Sequence, residues 1–149
     1  GLGDVYKRQA LEYLNQDIPI LIFPAGFVST ADRKGFGRVV DAPWTTFAAK
    51  LIRDANAAVV PVFFNGQNSR RFHVASHVAE PLRMALLLNE ALKKFGHSVS
   101  AEIGDPLLWD TLATFDSRQT LTDFLYEKVQ VLAPTPTVRK SRLIRLPRK

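Results

Sequence analysis

Residues 18–30 read IPILIFPAGFVST. A short, continuous apolar run over 18–23 drives into a corner made by Pro24, Ala25 and Gly26, and emerges polar at Ser29 and Thr30. A run of this length and uniformity predicts a strand buried on both faces. Proline and glycine at its end are ordinary turn chemistry. Glycine also allows the backbone to come close to a ligand. Turn and ligand loop both remain open on these residues alone.

A second stretch repeats the arrangement. Residues 57–64, AAVVPVFF, form an apolar, β-branched run that breaks into Asn65, Gly66, Gln67, Asn68 and Ser69. Pro61 lies inside it, which predicts an edge strand or a local irregularity. Between the two runs, Trp44, Phe47, Ala48, Leu51 and Ile52 recur at helical spacing, with Pro43 suited to the first turn and Asp41 or Ala42 to the cap. The expected unit is β-α-β, which brings both corners to the same edge of a sheet. Successive N–H groups at such corners can form a concavity for an anion.

The remaining elements follow from periodicity. Residues 10–16 read as the end of a helix, and residues 29–40 as a loop holding Gly35 and Gly37. Residues 82–95 read as a buried core helix, with a surface laid on lipid as the alternative. Residues 98–103 alternate as a strand. Asp116 and Gln119 are spaced as a capping box before a helix with Leu121, Phe124, Leu125, Val129 and Leu132 on one face. Trp44 and Trp109 read as packing residues. The order α-β-α-β-α-β-α predicts an α/β fold with function in the loops at strand ends.

Composition bounds the rest. The 149 residues suffice for one cored domain, and 46% are apolar. There is no cysteine, which excludes disulfides, thiolate metal sites and cysteine nucleophiles. The net charge of +6 is carried by the last eleven residues, which hold Arg139, Lys140, Arg142, Arg145, Arg148 and Lys149 and no acid. Without them, 14 basic residues face 14 acids. Residues 134–149 are therefore expected to be a disordered basic tail, open to an anionic membrane surface. The body shows no basic stripe interleaved with aromatics, so no nucleic-acid partner is expected. The opening GLGDVYKRQ has no initiator methionine and resembles a translated adaptor-like end. The expectation is a partial reading frame in which residues 1–9 are a non-native leader without structural meaning and residues 10–133 are part of one domain.

The two corners together resemble the phospholipid and glycerol acyltransferase superfamily, of lysophospholipid acyltransferase type. Its members carry an H-x4-D motif, then a block F-P-E-G-T-R-S, then a block around V-P-V with a glycine downstream. Phe23, Pro24, Gly26 and Ser29 match the first block, and Val60, Pro61, Val62 and Gly66 the second. The intervening residues also resemble a bacterial subgroup labelled putative hemolysin, which uses F-P-A-G. The resemblance implies a glycerol-phosphate-acyltransferase-like mixed sheet flanked by helices. It implies acyl transfer from an acyl-CoA or acyl carrier protein thioester to a lysolipid or glycerol-phosphate acceptor, with no metal or bound cofactor. It also implies peripheral attachment at the cytoplasmic face of the bacterial inner membrane.

Departures from the pattern shape the expectations. Ala25, Phe27 and Val28 stand where the block has Glu, Thr and Arg. Arg33, Lys34 and Arg38 are candidates for the missing phosphate-binding charge, and Asn68 for contact with the acceptor headgroup. No histidine precedes residue 18, so no residue is assigned as the catalytic base, and the chain alone is expected to be inactive. An H-x4-D pair is expected upstream. His97 and Glu102 imitate that spacing, but in a strand they point to opposite faces. His73, His77 and Glu80 share a face if helical, yet Val74 stands where a zinc protease helix has Glu. A non-catalytic lipid-binding module is the second reading and a small basic nucleic-acid-binding domain the third.

Overall fold

The computed structural model of the chain describes residues 2–26, 29–31, 39–66, 68–69, 72–73 and 80–134. Its elements are α1 (Leu2–Leu14), β1 (Thr30–Ala31), β2 (Val39–Val40), α2 (Phe47–Ala55), β3 (Val62–Phe64), α3 (Glu80–Lys94), β4 (Ala101–Ile103), α4 (Trp109–Leu112) and α5 (Arg118–Val131). Helices and strands mix, as an α/β chain requires. Among the described residues the strands form two separate antiparallel pairs, β1–β2 and β3–β4. The wider mixed sheet and the parallel β-α-β pairing are not seen among them.

Residues 18–23 explain the difference. They belong to no strand, and Ile18, Leu21 and Phe23 are exposed. Apolar side chains supply burial energy, but a strand also needs a neighbour for its N–H and C=O groups. Pro19 removes one of the donors, and Pro24 ends the run.

The core lies between α2, α4 and α5. Ala49 and Ile52 of α2 meet Leu112, Leu121 and Leu125, and Trp44, Val59, Leu107, Trp109, Phe115 and Phe124 pack around them. Ala48, Leu51 and Ile52 of the predicted stripe are buried, but Phe47 is exposed, Ala49 off the stripe is fully buried, and the helix starts at Phe47, behind Thr46. Pro43 and the expected caps Asp41 and Ala42 lie ahead of it. The chain leaves α2 through Asn56 at φ +50°, a left-handed C-cap that asparagine tolerates. The capping box of α5 falls one residue later than expected. Ser117 Oγ accepts from Thr120 N at 3.0 Å, and Thr120 Oγ1 accepts from Ser117 N at 3.4 Å.

Helix α1 begins at Leu2 and so takes in most of residues 1–9. Lys7 Nζ lies 2.6 Å from Asp54 Oδ2 of α2. The hydrogen bond holds the Lys7 ammonium above its ordinary pKa and the Asp54 carboxyl below its own.

A bulge lies opposite Pro61. Val62 pairs with Ile103 and Val59 with Leu107, which leaves two residues on one side and three on the other. The Pro61 carbonyl accepts from Gly104 N at 2.9 Å. A Cβ on Gly104 would sit 2.9 Å from Pro61 Cγ and 3.2 Å from a Leu132 methyl, so glycine is what fits under the ring. No helix among the described residues is long and apolar enough to cross a membrane.

Candidate active site

The first corner is a hydrogen-bonded turn. Gly26 N donates to the Phe23 carbonyl at 3.0 Å, with Pro24 and Ala25 between them. Gly26 takes φ +67°, the left-handed region that disfavours a Cβ. Ala25, where the resemblance has glutamate, is buried.

Two contacts brace this turn against the segment leading into α2. The Pro24 carbonyl accepts from Thr45 twice, from the backbone N–H at 3.0 Å and from Oγ1 at 3.2 Å. Ser29 Oγ donates to Asp41 Oδ1. The other Asp41 oxygen, Oδ2, accepts from Trp44 Nε1 at 3.3 Å. Trp44 is itself fixed edge-on against Tyr126 of α5, with ring centroids 5.3 Å apart. The corner is thereby tied to the core through Asp41 and Trp44.

The second corner lies beside the first. The Phe23 and Phe64 rings are 6.0 Å apart and tilted by 33°. Phe64 shares one face of the β3–β4 pair with Val62, Ala101 and Ile103, because Val62 opposes Ile103 and Phe64 opposes Ala101. Phe23, Phe64 and Ile103 are all exposed. The opposite face carries Phe63 and Glu102, where Asn65 Nδ2 donates to Glu102 Oε1 at 3.2 Å. An apolar sheet face open to solvent is the reverse of what a two-stranded ribbon shows when only water meets it.

Beyond Gly66, at φ +130°, the chain is anchored to α3. Ser69 donates to Glu90 from its backbone N–H and from Oγ, both at 2.7 Å. Ser69 Oγ also accepts from Phe72 N at 3.4 Å, and Lys93 Nζ reaches Glu90 at 3.2 Å. Desolvation pushes the Glu90 carboxyl up. The Ser69 and Lys93 contacts outweigh it and hold the group below its usual pKa. Asn68 Oδ1 accepts from Lys94 Nζ at 3.0 Å.

Of the residues singled out in the sequence, Phe23, Pro24, Gly26, Ser29, Val62 and Gly66 lie in or beside these two corners. Asn68 is engaged by Lys94. Pro61 is buried beside Gly104 and faces the bulge on the opposite side of the ladder. Phe27, Val28, Arg33, Lys34, Arg38 and His77, with residues 135–149, lie outside the described residues. The sequence reading missed Asp41, Thr45, Phe64 and Glu90. Glu90 carried a signal: it is the one acid in the leucine-rich run 86–94. Thr45 and Asp41 carried none, since their partners are distant in sequence. A shallow hollow lined by Lys50, Arg53, Asp54, Asp116, Ser117 and Arg118 shares no residue with either corner.

These corners fall inside a recognised family. Residues 3–135 match the family model described as acyltransferase, and the chain belongs to that family. Among curated proteins it is similar to a lyso-glycine lipid O-acyltransferase of Phocaeicola vulgatus, at 33% identity over 111 residues. A lyso-glycine lipid O-acyltransferase of Bacteroides thetaiotaomicron matches equally, at 33% over 111 residues. Each alignment covers 70% of this chain, and it spans 37% and 38% of the two relatives. No solved structure matches the chain.

Proposed function

We propose that this chain forms the acceptor side of a lipid O-acyltransferase with a glycerol-phosphate-acyltransferase-like α/β fold. The reaction moves an acyl group from a thioester, on coenzyme A or acyl carrier protein, to a hydroxyl of a lysolipid. The hydroxyl oxygen attacks the thioester carbonyl as its proton passes to a base. The C–S bond breaks, the thiol leaves with a proton, and the new C–O ester remains. The relatives' names make a lyso-glycine lipid the first acceptor to try, and the absence of arginine at position 28 fits an acceptor other than a simple phosphate ester.

The observation that carries the reading is the contact of Phe23 with Phe64. It joins the two family blocks and continues as the apolar face of Val62, Ala101 and Ile103, on which an acyl chain can lie. The rigid turn at Pro24 and the backbone at Gly66 flank that face, where the polar end of the acceptor would sit. Arg33, Lys34 and Arg38 supply positive charge to the headgroup in this reading. The enzyme works peripherally at the cytoplasmic face of the bacterial inner membrane, where its substrates are.

No H-x4-D pair occurs in the chain, so the chain alone is expected to bind lysolipid without turning it over. The complete gene product, given acyl-CoA or acyl carrier protein and a lyso-glycine lipid, is expected to form the diacyl product by mass spectrometry. Phe23→Ala with Phe64→Ala is expected to lower that rate. Lysolipid binding with no product from the complete protein would instead favour a non-catalytic lipid-binding module.

A further inference from the structure

The last turns of helix α3 are turned inside out. Glu90, its one acid between residues 86 and 94, is 6% exposed, and the apolar residues of its last turns face water. Leu88 is 66% exposed, Leu92 59%, and Phe95, just past the helix end, 79%. These three are spaced i, i+4 and i+7, so they form one stripe on the side away from Glu90. Lys93 and Lys94 fall on either side of the stripe, and both come from the last turn. A helix facing water carries charge outward and leucine inward, so this one is built for a different neighbour.

We propose that the Leu88–Leu92–Phe95 stripe of α3, flanked by Lys93 and Lys94, docks on the surface of an anionic lipid bilayer. Charge decides the occupant. Lys93 and Lys94 stay exposed although Lys93 pairs with Glu90 and Lys94 donates to Asn68, and the only acid among the described side chains of the helix, Glu90, is turned inward and bonded to Ser69. Apolar side chains between lysines are the composition of helices that lie in the headgroup region. The polar contacts on the inner side hold the helix in that orientation. Ser69–Glu90 and Asn68–Lys94 attach it to the loop after Gly66, so a docked α3 would carry the second corner to the lipid. The inference uses the lipid-substrate reading only for its purpose; attachment is measured without turnover, so either can fail alone.

The test is co-sedimentation of the full chain with vesicles of phosphatidylglycerol mixed with phosphatidylcholine, and with phosphatidylcholine alone. The expected result is binding to the anionic vesicles that weakens with salt. Leu88→Ser, Leu92→Ser and Phe95→Ser together are expected to reduce partitioning by roughly ten-fold or more. The basic tail is unchanged in this variant, so the difference reports the stripe. These side chains are exposed, and an unchanged circular-dichroism melt verifies the fold. Equal partitioning of the variant and the parent overturns the proposal. So does a size-exclusion dimer that the variant loses while its vesicle binding stays, since the stripe would then serve a second copy of the chain.

Discussion

Phe23 and Phe64 lie ring to ring at 6.0 Å, one at the end of an unpaired apolar run and the other at the end of β3. The contact is the physical link between the two corners. A double-mutant cycle with Phe23→Ala and Phe64→Ala is expected to show a coupling of about 0.5 kcal/mol, the low end for aromatic pairs, because both rings are partly in water. Urea unfolding measures it. Additive effects would mean that the corners are held together by other contacts.

Asp41 is the brace of the first corner. Asp41→Ala removes the acceptor of both Ser29 and Trp44 and is expected to cost about 1–3 kcal/mol. Ser29→Ala, which leaves the Trp44 contact in place, should cost less. Comparable losses in the two variants would show that Trp44 gains nothing from Asp41.

Glu90 makes stability depend on pH. Its folded carboxyl is held below the usual value, so its contribution is fully present above the unfolded pKa and is lost as pH falls through the folded one. Unfolding midpoints should decline on the acid side of the ordinary carboxylate range. Glu90→Gln should flatten that decline and, at neutral pH, weaken the Ser69 anchor by about 1–3 kcal/mol. An unchanged acid slope in the variant would assign the decline to other carboxylates.

Two glycines separate strain from space. Gly26→Ala meets no atom within 4 Å but must hold φ +67°, and is expected to cost about 1–2 kcal/mol. Gly104→Ala has no such backbone demand but meets the Pro61 ring at 2.9 Å, and overpacking there is expected to cost about 1–3 kcal/mol. Thermal unfolding distinguishes them when Leu132→Ala is added. The extra room should relieve part of the Gly104 loss and none of the Gly26 loss.

Local pattern alone made much of this protein legible. Much of the buried face of α2, through Ala48, Leu51 and Ile52, and of α5, through Leu121 and Leu125, follows from helical period. The turn at Pro24–Gly26 follows from residue chemistry, and so does the irregularity at Pro61. The family resemblance came from two short blocks whose spacing is visible in the chain.

Other features depend on partners remote in the chain. Residues 18–23 have the composition of a buried strand, but a strand exists only where a neighbour supplies a ladder, and none of the described strands does so. Helix α3 has a leucine content that suggests a core. Its facing was decided by Glu90, which turned inward once Ser69 came within reach of both carboxylate oxygens. The apposition of Phe23 and Phe64 likewise needed the fold of α2 and β3 between them. Side-chain type and period are local quantities, so the sequence determined helices and turns; which face meets water is settled by long-range hydrogen bonds, so only the tertiary structure decided it.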